Sequence, residues 1–164
     1  KICFVVDRSA SMLGTFSRVC QNLKSSVGSL RQDQYFDVVF FGDGQIADFG
    51  QKRLLRASDK RTAAANEFID SMKQKGTTDA ETALIYAMTI KDSSGNGPQL
   101  IYFLTDGLDL NGNDNDISLL IENKRKTLAP STIINTIGFQ AEPADRKQLE
   151  AIAKRSGGKF VNID

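Results

Sequence analysis

Apolar positions in this chain follow two periods that alternate from one end to the other. Ile2–Asp7 (ICFVVD) and Tyr35–Phe41 (YFDVVFF) are near-continuous apolar runs, which predict strands buried on both faces. Between them Phe16, Val19, Cys20, Leu23, Val27 and Leu30 recur at helical spacing. The stretch FGDGQIADF predicts a tight Asp43-Gly44 turn into a short antiparallel edge strand, Gln45–Phe49. Asp59 is placed to cap a helix carrying Ala65, Phe68, Ile69 and Met72 on one side. A small-residue loop, Gly76–Asp79, precedes a stripe of Ala80, Ala83, Leu84, Ala87 and Met88. Then come a strand over Pro98–Thr105, a polar loop over Asp106–Asp116, and a helix with Ile117, Leu120 and Ile121 inward. A strand over Thr132–Phe139, a helix over Ala144–Ser156 closed by Gly157-Gly158, and a last strand, Lys159–Ile163, complete the pattern. Such alternation predicts an α/β fold, a parallel-rich sheet with helices on both faces. Folds of this kind hold their sites beyond the carboxyl ends of the strands.

Composition narrows the chemistry. The 164 residues suffice for one domain with a proper core, and the net charge of +1 provides no bulk field for nucleic acid or membrane. No basic run alternates with aromatics, so no nucleic-acid face is expected, and no apolar segment is long enough for membrane insertion. Residue 1 already falls inside a predicted strand, so residues 1–164 read as a single domain cut from a longer protein. The chain has no histidine, which removes imidazole triads, His-ligated zinc and imidazole acid-base catalysis. Cys3 and Cys20 read as two buried thiols, bonded to each other only if strand and helix meet at that point.

Three corners rich in oxygen follow the apolar runs. Asp7-Arg8-Ser9-Ala10-Ser11 succeeds the first strand, Gly76-Thr77-Thr78-Asp79 precedes a helix, and Thr105-Asp106-Gly107 ends the fourth predicted strand. If the first and fourth strands are neighbours, Asp7, Ser9, Ser11, Thr78 and Asp106 converge. Two carboxylates and three hydroxyls form a hard donor set, suited to Mg²⁺, with Mn²⁺ or Ca²⁺ as alternatives. Neutral hydroxyls leave such an ion partly unneutralised, so a partner carboxylate could complete its shell. Each corner by itself also reads as ordinary turn or helix-cap chemistry. The segment DGLDLNGNDNDIS does not fit an EF-hand: counting from Asp109, Asp114 stands where glycine is needed and Leu120 where glutamate is needed. Asp116 or Ser118 is expected to cap the next helix instead.

DRSAS (Asp7 to Ser11) resembles the D-x-S-x-S motif of the von Willebrand factor type A domain family, GTTDAETAL (Gly76 to Leu84) is similar to its second loop, and FLTDG (Phe103 to Gly107) to its third. The resemblance covers essentially the whole chain and, in the style of VDRSASM, leans toward bacterial members. It implies a Rossmann-like, doubly wound three-layer α/β/α sandwich. The sheet would be six-stranded and mostly parallel, with one antiparallel edge strand, in the order 3-2-1-4-5-6. It also implies a metal-ion-dependent adhesion site with Asp7, Ser9, Ser11, Thr78 and Asp106 as ligands. Thr77 stands where the family often has glycine, a concern if that position needs a positive φ. Asp79 replaces a frequent asparagine. Arg8, Asp79 and Gly107 border the site and are candidate partner contacts, although Arg8 also reads as a solvated cation.

The function implied is a non-catalytic adhesion or assembly module, monomeric as an isolated domain, binding a protein that supplies Glu or Asp. An envelope or extracytoplasmic location on a membrane-anchored protein is favoured over the cytoplasm. Two alternatives stay open. One is a Mg²⁺-dependent phosphotransferase or phosphatase with Asp7 as nucleophile, although Ser9 replaces the acid-base aspartate of that class and no phosphate-binding lysine motif is evident. The other is an assembly domain within a larger ATPase or envelope machine.

Overall fold

The computed structural model describes residues 1–107 and 116–163. Strands and helices follow one another as β1 (Ile2–Asp7), α1 (Phe16–Gly28), β2 (Tyr35–Gly42), β3 (Gln45–Asp48), β4 (Leu55–Arg56), α2 (Asp59–Ser71), α3 (Ala80–Thr89), β5 (Leu100–Thr105), α4 (Ile117–Leu128), β6 (Ile133–Phe139), α5 (Pro143–Ser156) and β7 (Phe160–Ile163). The sheet runs β3-β2-β1-β5-β6-β7, with β4 also pairing to β2. The order is the expected one, and β1, β2, β5, β6 and β7 are parallel. Both β3 and β4 are antiparallel to β2, so the sheet has seven strands, not six. The extra strand is two residues long, too short to carry any period.

Every residue of β1 is buried, as a central parallel strand requires. Alternate side chains feed two cores. Cys3, Val5, Val39, Phe41 and Phe103 pack with α3, α4 and α5 on one face; Phe4, Val6, Val38 and Phe40 pack with α1 and α2 on the other. This is the three-layer sandwich. Cys3 and Cys20 belong to opposite layers and both are free thiols, so no bond joins them.

Several local devices set the element ends. Asp43 (φ 59°) and Gly44 (φ 64°) make the left-handed pair that a tight hairpin between β2 and β3 requires. Ser58, not Asp59, caps α2, accepting from the Arg61 N–H at 3.3 Å. Asp116 caps α4 as expected. That helix buries Glu122 and Arg125 besides Ile121, a pair its apolar pattern does not announce. No helix among the described residues is long and apolar enough to cross a membrane.

Candidate functional site

Asp7 is the last residue of β1 and is fully buried. The chain turns immediately after it: the Ser9 N–H donates back to Asp7 Oδ1 at 2.7 Å. One 3-10 turn, Ala10–Met12, follows, anchored by the wholly buried Met12. Alternation then aims Ser9 and Ser11 at the same spot, their hydroxyl oxygens 2.9 Å apart. Ser9 is nearly inaccessible, whereas Ser11 is exposed.

Residues 75–78 are strapped onto this first corner by the backbone. Lys75 N–H donates to Arg8 C=O at 2.7 Å, Ala10 N–H to Gly76 C=O at 3.0 Å, and Asp43 N–H to Thr77 C=O at 2.9 Å. Gly76 has φ 68°, and a Cβ there would lie 2.2 Å from Asp43 Cβ, so the close approach requires glycine. The positive φ falls on Gly76, and Thr77 is not among the left-handed residues, which removes the concern over a β-branched side chain there. Thr78 Oγ1 donates to Asp7 Oδ2 at 3.4 Å. Asp79 is spent locally: its carboxylate caps α3, accepting from the Thr82 N–H at 3.0 Å.

The third corner arrives because β5 pairs in parallel with β1, Val6 opposite Leu104. That register sets Thr105 beside Asp7, with Thr105 Oγ1 2.6 Å from Asp7 Oδ2. Ser11 Oγ donates to Asp106 Oδ1 at 3.0 Å. The five residues singled out from the sequence therefore meet in one hydrogen-bonded group. Thr105 was not singled out; its signal was a hydroxyl directly before Asp106, meaningful only once β1 and β5 are known neighbours.

Burial is the main cause that pushes the Asp7 carboxyl above its ordinary range, opposed by the bonds from Thr105 and Ser9 and reinforced by the charge of Asp106. Burial likewise raises Asp106, against the bond from Ser11. Neither carboxylate forms an ion pair within the described residues. The half-buried Arg8 packs against Gly42, with its Nε lacking a hydrogen-bond partner among the described residues, and pairs with neither carboxylate. One buried and one half-buried acid without an ion-pair partner among the described residues, flanked by hydroxyls, fit a hard divalent cation. Among the described residues no three carboxylate, thiol or imidazole side chains cluster to hold a metal, so binding here has to draw on Ser and Thr oxygens.

A cavity of about 460 Å³ opens above these oxygens, lined also by Leu13, Phe139, Gln140, Glu142 and Asp145. Phe139 is a core residue that also forms part of this wall. Leu13 is 79% exposed at the rim, an apolar group that sequence reasoning missed because it lies off every periodic stripe. Gly107 faces α5: a Cβ there would approach Asp145 Oδ2 to 3.1 Å. Residues 108–115, most of the acidic segment that fails the EF-hand pattern, lie outside the described residues.

Comparison with known proteins identifies the family and the fold. The family model described as von Willebrand factor type A domain matches residues 1–164. Human inter-alpha-trypsin inhibitor heavy chain H6 is 26% identical over 167 residues, spanning 96% of this chain, and bovine heavy chain H1 is 25% identical. The chain spans only 12% and 18% of the length of those relatives. Among solved structures, a von Willebrand factor type A protein from Catenulispora acidiphila superposes with a TM-score of 0.80 at 21% identity, covering 99% of this chain and 38% of that one. An aerotolerance-related membrane protein from Bacteroides fragilis gives 0.72 at 16%, covering 99% and 90%. A manganese-loaded TRAP protein from Plasmodium vivax gives 0.61 at 19%, covering 99% and 67%. At these identities the likeness is one of fold.

Proposed function

We propose that this chain, which belongs to the von Willebrand factor type A domain family, is a non-catalytic protein-binding module that captures an acidic side chain of its partner through a divalent cation. Domains of this family generally mediate protein–protein interaction or adhesion, and they often bind a divalent metal. The observation that carries the proposal is the pair of unneutralised carboxylates, Asp7 and Asp106, joined through Ser11 and Ser9, with Asp106 in the wall of an open cavity and Asp7 buried behind the Ser9 and Thr78 that line it.

Asp7, Ser9, Ser11, Thr78 and Asp106 would hold the ion. Mg²⁺ suits this oxygen set best, with Mn²⁺ or Ca²⁺ as alternatives. When bound, the cation supplies an electrophilic centre for a Glu or Asp carboxylate of the partner. Thr105 fixes the orientation of Asp7, and Asp79 and Gly76 fix the loop that presents Thr78. Leu13 gives the partner an apolar contact beside its carboxylate and Gly107 lines the adjoining wall, whereas Arg8 and Asp79, the other two expected contacts, stand outside the cavity lining. The manganese-loaded relative and the bacterial membrane relative support a metal-dependent role at an extracytoplasmic surface.

The test begins with calorimetric titration of the protein with Mg²⁺, Mn²⁺ and Ca²⁺, followed by addition of a glutamate-containing peptide. One divalent ion per chain, and peptide binding that disappears with EDTA or in Asp7→Ala, is the expected result. No divalent binding at millimolar concentration overturns the proposal. Hydrolysis of a general phosphatase substrate that vanishes in Asp7→Asn would favour the phosphotransferase alternative.

A further inference from the structure

At the opposite pole of the sheet lies a basic groove, in which the basic stretch of residues 52–61 is joined by Lys91 from a distant segment. Lys52, Arg53, Arg56, Arg61 and Lys91 line a cavity of about 650 Å³ together with Tyr35, Leu55 and Asp92. That volume lies within the usual span of ligand clefts, about 300–1,000 Å³. None of the five cations meets a carboxylate among the described residues. The one acid on the wall is already neutralised: Asp92 pairs with the Lys1 ammonium at 3.3 Å and accepts from the Ser94 and Asn96 N–H groups at 2.8 Å each. The groove is therefore an uncompensated positive concavity on a protein whose net charge is only +1.

The groove is also rigidly made. Gln51 (φ 52°) and Lys52 (φ 64°) both adopt the left-handed conformation, which is strained for a non-glycine residue. Two inward carboxylates hold this turn: Asp37 Oδ1 accepts from the Gly50 N–H at 2.8 Å, and Asp48 Oδ2 from the Lys52 N–H at 2.6 Å. Leu54 N–H then donates to Lys91 C=O at 3.0 Å, which brings Arg53 and Lys91 alongside each other. Arg56 and Arg61 are oriented by the backbone carbonyls of Gln32 and Arg56, at 2.8 and 2.9 Å. A left-handed turn tied to the buried Asp37 and the half-buried Asp48, presenting cations of which only Arg56 feels a nearby acid, Asp33, and none forms an ion pair among the described residues, suits an anionic ligand.

We propose that this groove binds an acidic peptide segment of a partner protein, one that carries an apolar side chain between its carboxylates. Guanidinium groups match carboxylates in a bidentate geometry. The half-buried Tyr35 and Leu55 form an apolar floor between the charges, which a sulfated glycan would not use. A nucleic acid calls for exposed aromatic platforms or a long basic track, and the groove offers neither. The two-residue β4 on the sheet border suits an extended chain lying across it. This inference is independent of the metal site.

The test uses the ¹⁵N-labelled protein in EDTA, so that the metal site is silent, titrated with acetyl-Glu-Glu-Leu-Glu-Glu-amide and with its Gln-for-Glu counterpart. The acidic peptide is expected to shift the amides of residues 52–56 and 91–93, the neutral one not, and affinity is expected to fall at least fivefold between low and physiological salt. Arg53→Glu with Lys91→Glu should weaken binding at least tenfold, and the milder Arg53→Gln with Lys91→Gln severalfold, while amides elsewhere and the response to Mg²⁺ stay unchanged. Shifts confined to residues 7–11 and 76–79, or none at about 5 mM peptide, overturn the proposal. A sulfated oligosaccharide or a single-stranded oligonucleotide binding the groove more tightly than the peptide would also overturn it.

Discussion

Ser11 Oγ donates to Asp106 Oδ1 at 3.0 Å, tying the loop after β1 to the loop after β5 through a side chain that is itself exposed to solvent. Both residues line the open cavity, and Asp7 lies buried behind Ser9 and Thr78. A cation entering there relieves the burial of two carboxylates at once.

Metal addition is therefore expected to stabilise the fold. At a free concentration about one hundred times Kd the gain is about 2.7 kcal/mol, a Tm rise of roughly 5–10 °C for a chain of this size. Asp7→Asn should abolish the rise yet leave the metal-free protein at least as stable, because an amide there is neutral and suffers less from burial. Thermal melts with Mg²⁺ and with EDTA check both statements; a normal Mg²⁺ shift in the variant would exclude Asp7 as a ligand.

Stability should also depend on pH through a second acid pair. Asp37 is fully buried, and its carboxyl is pushed up to about 9, first by burial and then by the neighbouring Asp48. Asp37 Oδ2 and Asp48 Oδ1 are buried with no N–H or hydroxyl donor among the described residues, which suits one shared proton. The folded protein keeps this proton above the ordinary carboxyl value of 3.8, whereas the unfolded chain releases it. Unfolding free energy should then fall as pH rises from about 4 to about 9, by at most about 1.4 kcal/mol per unit. Urea titrations across that range should show the slope in the native sequence and a flatter profile in Asp37→Asn.

Gly76→Ala is expected to cost about 2 kcal/mol and to weaken metal affinity as well. The new Cβ would collide with Asp43 and the residue would be held at φ 68°, so the strap that carries Thr78 has to shift. The same substitution at Gly95, equally left-handed but open to solvent, should weaken stability without touching metal binding.

The ion pair on α4 offers a test far from the site. Arg125 Nε and Nη2 donate to Glu122 at 2.8 and 3.1 Å, and Nη1 donates to Pro130 C=O at 2.6 Å. Arg125→Met strands a buried carboxylate and should cost about 3 kcal/mol, the low end of such losses because Lys126 also reaches Glu122 at 3.4 Å. Chemical denaturation should show much of that loss recovered in the double variant Glu122→Gln/Arg125→Met.

Leu13→Ser should leave stability within about 0.5 kcal/mol, since the side chain is 79% exposed. Capture of a carboxylate-bearing partner should nevertheless weaken severalfold, with Mg²⁺ affinity unchanged. Unaltered partner binding would exclude the rim contact.

What the chain states by itself is local. The continuous run at β1, the stripe on α3 and the Asp43-Gly44 turn each carry their period or their backbone preference within a few residues, and those elements form as read. Asp7, Ser9, Ser11, Thr78 and Asp106 could be singled out because each sits at the end of such an element. Tertiary structure decided what those ends meet. The β1–β5 register made Thr105 a partner of Asp7, the sheet plane separated Cys3 from Cys20, and the crossing of residues 52–56 past Lys91 added that cation to the basic stretch of residues 52–61. Periodicity fixes which face a side chain takes, whereas strand order and register fix its neighbours across the sheet, and these depend on the packing of the whole chain.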